Sequence, residues 1–593
     1  MSLRTFFNQN KNRLALERII DDLLFALAVL GFIAVFVDLA GVQSKWHGLF
    51  DLFYHACLLI FLGIFSLRSY LYKFILKKRR EQWLTALEIV FIVMMLLAQH
   101  DNGFLDKLGT RDYLQFAISL IFLIEISKRS LGLDRLKVNP PLIFIFSFLI
   151  LILIGSFALM LPVSSNNGVG FVNALFTSTS AVCVTGLTVM DTGADFTRFG
   201  QNVILTLISL GGLGVMTFTS FFGFFFKGGT SFRSLMIYKD FMGEKNLKNV
   251  FSTIIMIVTF TVGVEAIGTA ILFFSLHSAD FPNLGEQLYF AGFHSISAFN
   301  NAGFQLKSAG LYDETLRWNY TFQTTIAILI IFGGLGFYIS FNIVKYFRER
   351  LRARAISILR NKPLQHVPWI INLNTRIVLR TTFILLITGT LFFFASEYHH
   401  SLEEHTGIGK WLAAFFCSVT PRTAGFNNID MAALSREGIL LTMLFMWIGA
   451  SPGSTGGGIK TSTIAVAMLG IFQIARGSDH VDFAKREIAK ESLMRAFIII
   501  CLSLAALGFS ILTIGFLEPT LDLVKISFEC FSALGTVGLS LGITAGLSDM
   551  SKIVITLTMF AGRVGVYTIF LGVIKKTVGS QYYKYPMENV IIT

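Results

Sequence analysis

The chain has 593 residues, 54% of them hydrophobic and only 14% charged, whereas soluble domains carry roughly a quarter charged residues; an ordinary soluble domain is excluded. The formal charge of +13 comes from Lys and Arg gathered between apolar runs with no nucleic-acid-binding motif to organise them, so it reads as the positive charge of cytoplasmic loops and not as a nucleic-acid surface. Five scattered cysteines (Cys57, Cys183, Cys417, Cys501, Cys530) lack C-x-x-C spacing and indicate neither a zinc site nor a disulfide framework.

Arg4, Lys11 and Arg13 place the N-terminus inside, and apolar runs then predict transmembrane helices at 19–40, 48–75, 83–99 and 112–128. The first run is too long for a signal-peptide core and is read as retained. Basic clusters at 77–80 and at Lys128, Arg129, Arg135 and Lys137 fall inside. A voltage sensor needs arginines at every third position, but the fourth run holds only Glu125, so packing is the expected role of residues 1–138. Asp21, Asp22, Glu88, Glu125 and Glu265 lie in or near apolar segments, where an ionisable group is a functional candidate; the first three also fit interfacial positions.

From Pro140 a long apolar run, a shorter stretch ending in glycine and a second long run recur four times. The units are 141–162, 171–187 and 202–226; 250–276, 285–304 and 318–345; 376–398, 410–426 and 438–474; 493–516, 522–539 and 551–574. The chain thus divides into 1–138, four pore repeats at 139–248, 249–372, 373–491 and 492–580, and a tail at 581–593. Basic loops at 227–248, 345–362, 476–490 and 575–576 put both ends of every repeat, and both termini, on the cytoplasmic side.

Gly186, Gly303, Gly425 and Gly538 close the four short stretches at near-constant spacing. Non-helical backbone at membrane depth must be buried or line a wet path. Four such loops around one axis can replace the hydration shell of a cation with carbonyl oxygens, which assigns the filter to Cys183, Val184, Thr185 and Gly186; Asn300, Asn301, Ala302 and Gly303; Arg422, Thr423, Ala424 and Gly425; and Gly535, Thr536, Val537 and Gly538. The preceding half-helices would aim their negative ends at the path. Asp191, Asp313, Asp430 and Asp549 recur just beyond the filter glycines and either enrich cations at the outer mouth or are ordinary solvated charges.

The third repeat's second run is interrupted by Gly449, Ser451, Pro452, Gly453, Ser454, Thr455, Gly456, Gly457 and Gly458, followed by Lys460. Pro removes a donor and glycines weaken a helix by about 1 kcal/mol each, so a loop is expected beneath the filter. Arg563, read in the register of Leu213 and Leu335, is the expected anchor of that loop and a cationic barrier, unless it merely satisfies buried carbonyls.

Val184-Thr185-Gly186-Leu187, Thr420-Pro421-Arg422-Thr423-Ala424-Gly425-Phe426 and Pro452-Gly453-Ser454-Thr455-Gly456-Gly457-Gly458-Ile459-Lys460, set in the four-fold repeat, resemble the Trk/Ktr/HKT potassium transporters, most closely the Ktr-type membrane subunit. The resemblance runs from about residue 140 to the end, including the tail 585–592. It implies an all-α polytopic cell-membrane protein with a central pore. Potassium would be the transported ion, with no other cofactor. It also implies a homodimer with one pore per subunit, surrounded by membrane lipid, and a cytosolic nucleotide-binding regulatory subunit, for which basic faces such as 345–362 would be docking sites. In the plant branch a serine in the first filter accompanies sodium preference, so Gly186 points to potassium. The N-terminal extension of about 138 residues departs from the pattern. The alternatives are a sodium-permeable member and an ion-coupled carrier without a carbonyl filter. An enzyme is not indicated, because H-E-x-x-H, G-x-S-x-G and a nucleotide loop are all missing.

Overall fold

The computed structural model describes residues 3–39, 47–70, 85–93 without 87, 114–125 without 116 and 123, 140–214, 250–360, 372–478, 480–484 and 486–574. The basic loop 227–248, the end of the run 202–226 and the tail 581–593 lie outside them.

Helices α1 (Leu3–Leu39) and α2 (His47–Tyr70) pack with helical pieces within 85–93 and 114–125 around Leu24, Ala28, Phe61, Phe65, Ile92 and Ile118. Two of the intramembrane carboxylates find partners inside this bundle: Arg68 lies 3.1 Å from Asp21 and 3.7 Å from Glu125. Asp38 accepts hydrogen bonds from the Tyr54 hydroxyl at 2.7 Å and from Gln115 at 2.8 Å. Pairing of this kind offsets part of the desolvation penalty that makes a lone charge in a bilayer costly.

Each pore repeat is a long helix, a short pore helix, an extended filter loop and a second helix. The first repeat has α3 (Pro140–Leu159), α4 (Phe171–Val182) and α5 (Arg198–Leu213). The second has α6 (Val250–Ser275), α7 (Leu284–Phe299), α8 (Tyr320–Leu335) and α9 (Phe337–Arg360). The third has α10 (Leu373–Glu397), α11 (Ile408–Val419), α12 (Arg436–Trp447) and α13 (Thr461–Ala475). A two-residue-per-strand hairpin, β1 (Asp482–Phe483) with β2 (Arg486–Glu487), leads to the fourth: α14 (Lys490–Leu517), α15 (Leu523–Gly535), α16 (Asp549–Val564) and α17 (Val566–Val573).

Local chemistry fixes these elements. Thr197, Asn319, Ser435 and Ser548 accept a backbone N–H from the first turn of α5, α8, α12 and α16, so every second helix starts on a side-chain cap. In three repeats a glycine of the first helix (Gly155, Gly268, Gly389) lies against a pore-helix serine (Ser178, Ser295, Ser418), with no room for a Cβ. Each serine hydroxyl donates to a carbonyl one turn back on that first helix, Ile152, Glu265 or Leu386. Close small-residue packing of this kind holds helices together where lipid supplies no hydrophobic drive. The outer helices present Phe274, Phe509 and Phe516, all more than 70% exposed, to the bilayer.

The second helices correct the sequence reading. All four were expected to be long runs, with a break in the third alone. Instead α8 and α9 meet at 102° and α16 and α17 at 88°, and α5 ends after Leu213. The break residues Gly336, Gly565 and Gly214 have φ of 83°, 88° and 80°, a region nearly closed to residues with a Cβ. Among the described residues five helices are long and apolar enough to cross a membrane unaided, and up to seven when each bent pair counts as one span.

Candidate functional site

The pore helices α4, α7, α11 and α15 all point their C-terminal ends at one ring of backbone. Two positions before each filter glycine the chain turns into the left-handed region, at Val184 (φ 57°), Asn301 (φ 59°), Thr423 (φ 69°) and Thr536 (φ 51°). The glycines follow at φ 90°, 70°, 73° and 97° for Gly186, Gly303, Gly425 and Gly538. A β-branched residue in this region is strained by roughly 1–3 kcal/mol, which applies to Val184, Thr423 and Thr536, while Asn301 tolerates the conformation.

The ring closes on itself. A Cβ placed on Gly186 would meet the Ala302 carbonyl and lie 3.0 Å from the Gly303 Cα; on Gly303 it would meet the Ala424 carbonyl and lie 3.1 Å from the Gly425 Cα. On Gly425 it would meet the Val537 carbonyl, and on Gly538 the Thr185 carbonyl, which returns to the first repeat. The N–H groups of Thr185, Ala302, Ala424 and Val537 donate to the pore-helix carbonyls of Ser180, Ser297, Thr420 and Ser532 at 2.7–3.0 Å. Their own carbonyls accept no hydrogen bond among the described residues. The donors are thus used behind the ring and the acceptors are left to the path, an arrangement suited to a dehydrated monovalent cation.

A second tie went unnoticed in the sequence. The Gly186 and Gly538 N–H groups each donate to a pore-helix hydroxyl, Ser180 and Ser532, at 3.0 Å. Ser297 and Thr420 instead donate to the carbonyls of Phe304 and Phe426, at 2.8 and 2.5 Å. The legible signal was a serine six residues before the filter glycine in three of the four repeats.

The side chains three positions before each glycine turn away from the path. Asn300 donates to Glu265 at 2.8 Å, which gives that intramembrane carboxylate a place behind the second loop. Arg422 is buried and reaches Thr382 on α10 at 3.4 Å, so its side chain lies away from the ring. Cys183 is also buried, and Gly535 leaves room for the Met446 carbonyl.

Outside the ring opens a cavity of about 480 Å³, lined by the four glycines together with Asp191, Asp195 and Asp430. Of the acidic residues expected at the mouth, Asp191 and Asp430 are there. Asp313 pairs with Lys307 at 3.4 Å, and Asp549 sits in the first turn of α16, where the helix dipole favours it. Asp195, which accepts the Asp191 N–H at 2.8 Å, was missed.

Beneath the ring lies the segment between α12 and α13. Gly449 N–H donates to the Ile459 carbonyl at 2.9 Å, closing the base of the loop, and Ser451 N–H to the Gly334 carbonyl at 3.0 Å. Gly457 N–H donates to the Thr536 hydroxyl at 2.9 Å, and Gly456 abuts the Thr423 side chain, so the loop touches the ring from below. Phe337 N–H donates to the Gly453 carbonyl at 3.2 Å. Ser454 donates to Ser451, and the Lys460 ammonium to Gly456 at 2.7 Å. Pro452 and Gly458 complete the bend. Arg563 donates through one guanidinium nitrogen to the Thr455 carbonyl and through the other to the Gly211 carbonyl on α5.

The register given to Arg563 is corrected by one position. Gly211, Gly333 and Gly562 pack on the equivalent pore-helix carbonyls of Val182, Phe299 and Leu534, and the break glycines Gly214, Gly336 and Gly565 follow each. Arg563 therefore stands where the first two repeats have Gly212 and Gly334, not Leu213 and Leu335. A glycine pair in two repeats and a single glycine in the fourth made the alignment ambiguous.

A family profile described as TrkH, cation transport protein, matches residues 116–584. The Ktr system potassium uptake protein B of Vibrio alginolyticus is 36% identical over 459 residues, covering 77% of this chain and 95% of that protein. The potassium/sodium uptake protein NtpJ of Enterococcus hirae is 34% identical over 77% of this chain and 98% of that one. The crystal structure of the potassium transporter TrkH from Vibrio parahaemolyticus has the same fold, with a TM-score of 0.58 at 15% identity over 84% of this chain and 97% of that one.

Proposed function

The chain belongs to the TrkH family of cation transport proteins, and from that premise we propose that it is the membrane subunit of a Ktr/Trk-type system that takes up potassium through the ring of four filter loops. The observation that carries this reading is the closed circuit in which each filter glycine abuts the carbonyl of the next repeat's loop. A ring of unpaired carbonyls stabilises an unhydrated cation and offers nothing to an anion. The vestibule carboxylates Asp191, Asp195 and Asp430 raise the local cation concentration. The loop held by Arg563 and Lys460 is the gate: it closes the path below the filter with two positive charges. The four pore repeats and the N-terminal bundle sit in the cell membrane with both chain ends cytoplasmic. The active form is a homodimer with one pore in each subunit, opened by a separate nucleotide-binding subunit on the cytoplasmic side. No cofactor beyond the transported potassium is involved.

Sodium permeation is the second reading, favoured by the likeness to a protein named for potassium and sodium uptake. Rubidium and sodium uptake by the purified chain in liposomes separates the two. Gly186→Ser decides whether the ring selects, because a Cβ there runs into the Ala302 carbonyl at a φ of 90°. The rubidium-to-sodium ratio should fall by about tenfold, the size expected of a change of about 1.4 kcal/mol in filter geometry. An unchanged ratio in folded protein refutes the filter assignment.

A further inference from the structure

Among the described residues, helix α9 is the longer of the two helices that follow a sharp bend. Its axis stands at 102° to α8, and over its 24 residues it extends about 36 Å. Val344, Phe347 and Leu351 are 53%, 57% and 63% exposed. At 100° per residue these three share one narrow stripe. Arg348 and Arg352 flank the stripe on one side and Arg350 and Arg354 on the other, all exposed, while Glu349 falls on the opposite face. An apolar stripe bordered on both sides by long cationic side chains is the pattern of a helix lying in a membrane interface, where the stripe enters the acyl boundary and the arginines reach the headgroups. A soluble partner would be met by the basic face with the apolar stripe left in water.

We propose that α9 lies on the cytoplasmic leaflet and binds anionic lipid headgroups, and that this docking steadies the loop beneath the filter. The second half follows from the hinge. Gly336 packs against Gly453, the Phe337 N–H holds the Gly453 carbonyl at 3.2 Å, and the Tyr338 ring covers Gly453. The first residues of α9 therefore hold the same loop that Arg563 holds from the other side. A helix pinned to the surface keeps those contacts in place, so anionic lipid lowers the flux of the chain on its own.

Two measurements test this, and only the second rests on the transport reading above. In nanodiscs containing about 30% phosphatidylglycerol, a Cys501→Ser background removes the one exposed native cysteine among the described residues. There Phe347→Cys should react with a charged maleimide at least about fivefold more slowly than Glu349→Cys, as a residue sunk below the headgroups does. Equal rates overturn the placement. In liposomes, adding phosphatidylglycerol to phosphatidylcholine should lower rubidium flux by about threefold or more, an effect weakened by high salt. The combined variant Arg348→Gln, Arg350→Gln, Arg352→Gln and Arg354→Gln should lose that response and keep the rubidium-to-sodium ratio. An equal lipid response in the variant, or a variant that instead loses only the binding of a nucleotide-binding subunit, overturns the lipid assignment.

Discussion

Arg563→Ala is the most direct test of the gate. The guanidinium makes two charge-assisted bonds, to the Thr455 carbonyl in the loop and to the Gly211 carbonyl in α5. Hydrogen bonds to a charged group contribute about 1.5–3 kcal/mol each. Only the Thr455 bond holds the loop itself, so its loss shifts the loop's equilibrium by about 1.5–3 kcal/mol, or roughly 10- to 150-fold in the displaced population. Removal of the positive charge adds to this, since two unit charges about 5 Å apart interact by about 3 kcal/mol at an effective dielectric of 20. Initial rubidium flux should therefore rise at least about tenfold, up to the limit set by the filter, with little change in the rubidium-to-sodium ratio. Arg563→Lys separates the two terms: it keeps the charge and loses the two-pronged reach, so a flux near that of the unmodified chain assigns the barrier to charge, and a flux near that of the alanine variant assigns it to anchoring. A folded, stable Arg563→Ala protein whose flux is unchanged or lower refutes the gate.

Ser180→Ala and Ser532→Ala each remove the acceptor for a filter glycine N–H, worth about 1 kcal/mol, and should lower the rubidium-to-sodium ratio by a few fold while leaving expression intact. Arg68→Ala removes the cation beside the buried Glu125 and the half-exposed Asp21 and should destabilise the N-terminal bundle, read as a lower melting temperature, with ion selectivity unchanged. Glu518, at the end of α14, is held below the ordinary carboxylate range by hydrogen bonds from Ser548 and Ser551. Its contribution to stability is present above the unfolded value of about 4.3 and is lost as pH falls through the lower folded value. The melting-temperature gap between the unmodified chain and Glu518→Gln should therefore be seen at pH 7 and close on acidification.

The parts legible in the sequence were those where a special backbone conformation demands glycine. Gly186, Gly303, Gly425 and Gly538 marked the ring of loops, because no residue with a Cβ fits both their φ and the carbonyl of the next loop. Val184 gave no such signal: a valine at φ 57° contradicts its own preference and is held there by the pore helix and its neighbours, which appear only in three dimensions. The bends at Gly336 and Gly565 were hidden for the opposite reason. Glycine inside an apolar run is common in membrane helices, so even the clusters at Gly333, Gly334 and Gly336 and at Gly562 and Gly565 do not announce a break. Asp313 and Asp549 also follow filter-loop glycines, but Lys307 and a helix N-terminus claim them; the legible warning was distance, since they lie about twice as far along the chain from Gly303 and Gly538 as Asp191 and Asp430 lie from Gly186 and Gly425.

The ring is four-fold in its backbone, and on the proposed reading that regularity serves selection, while closure is assigned to where the repeats differ. The first two repeats carry Gly212 and Gly334, packed against Asn300 and Asn301, in the last turn of their second helices where the fourth carries Arg563, and the third replaces the same stretch with a loop. On that reading the third repeat supplies the plug and the fourth the arginine that holds it, while the second provides carbonyls at Gly333 and Gly334 against which the loop rests. The Arg563 guanidinium hydrogen-bonds to Thr455 and Gly211, neither of them in the ring, whereas Thr536 belongs to the ring and accepts the Gly457 N–H. Substitutions at the arginine should accordingly change how often the path is open without changing what passes, and substitutions at the threonine should change both.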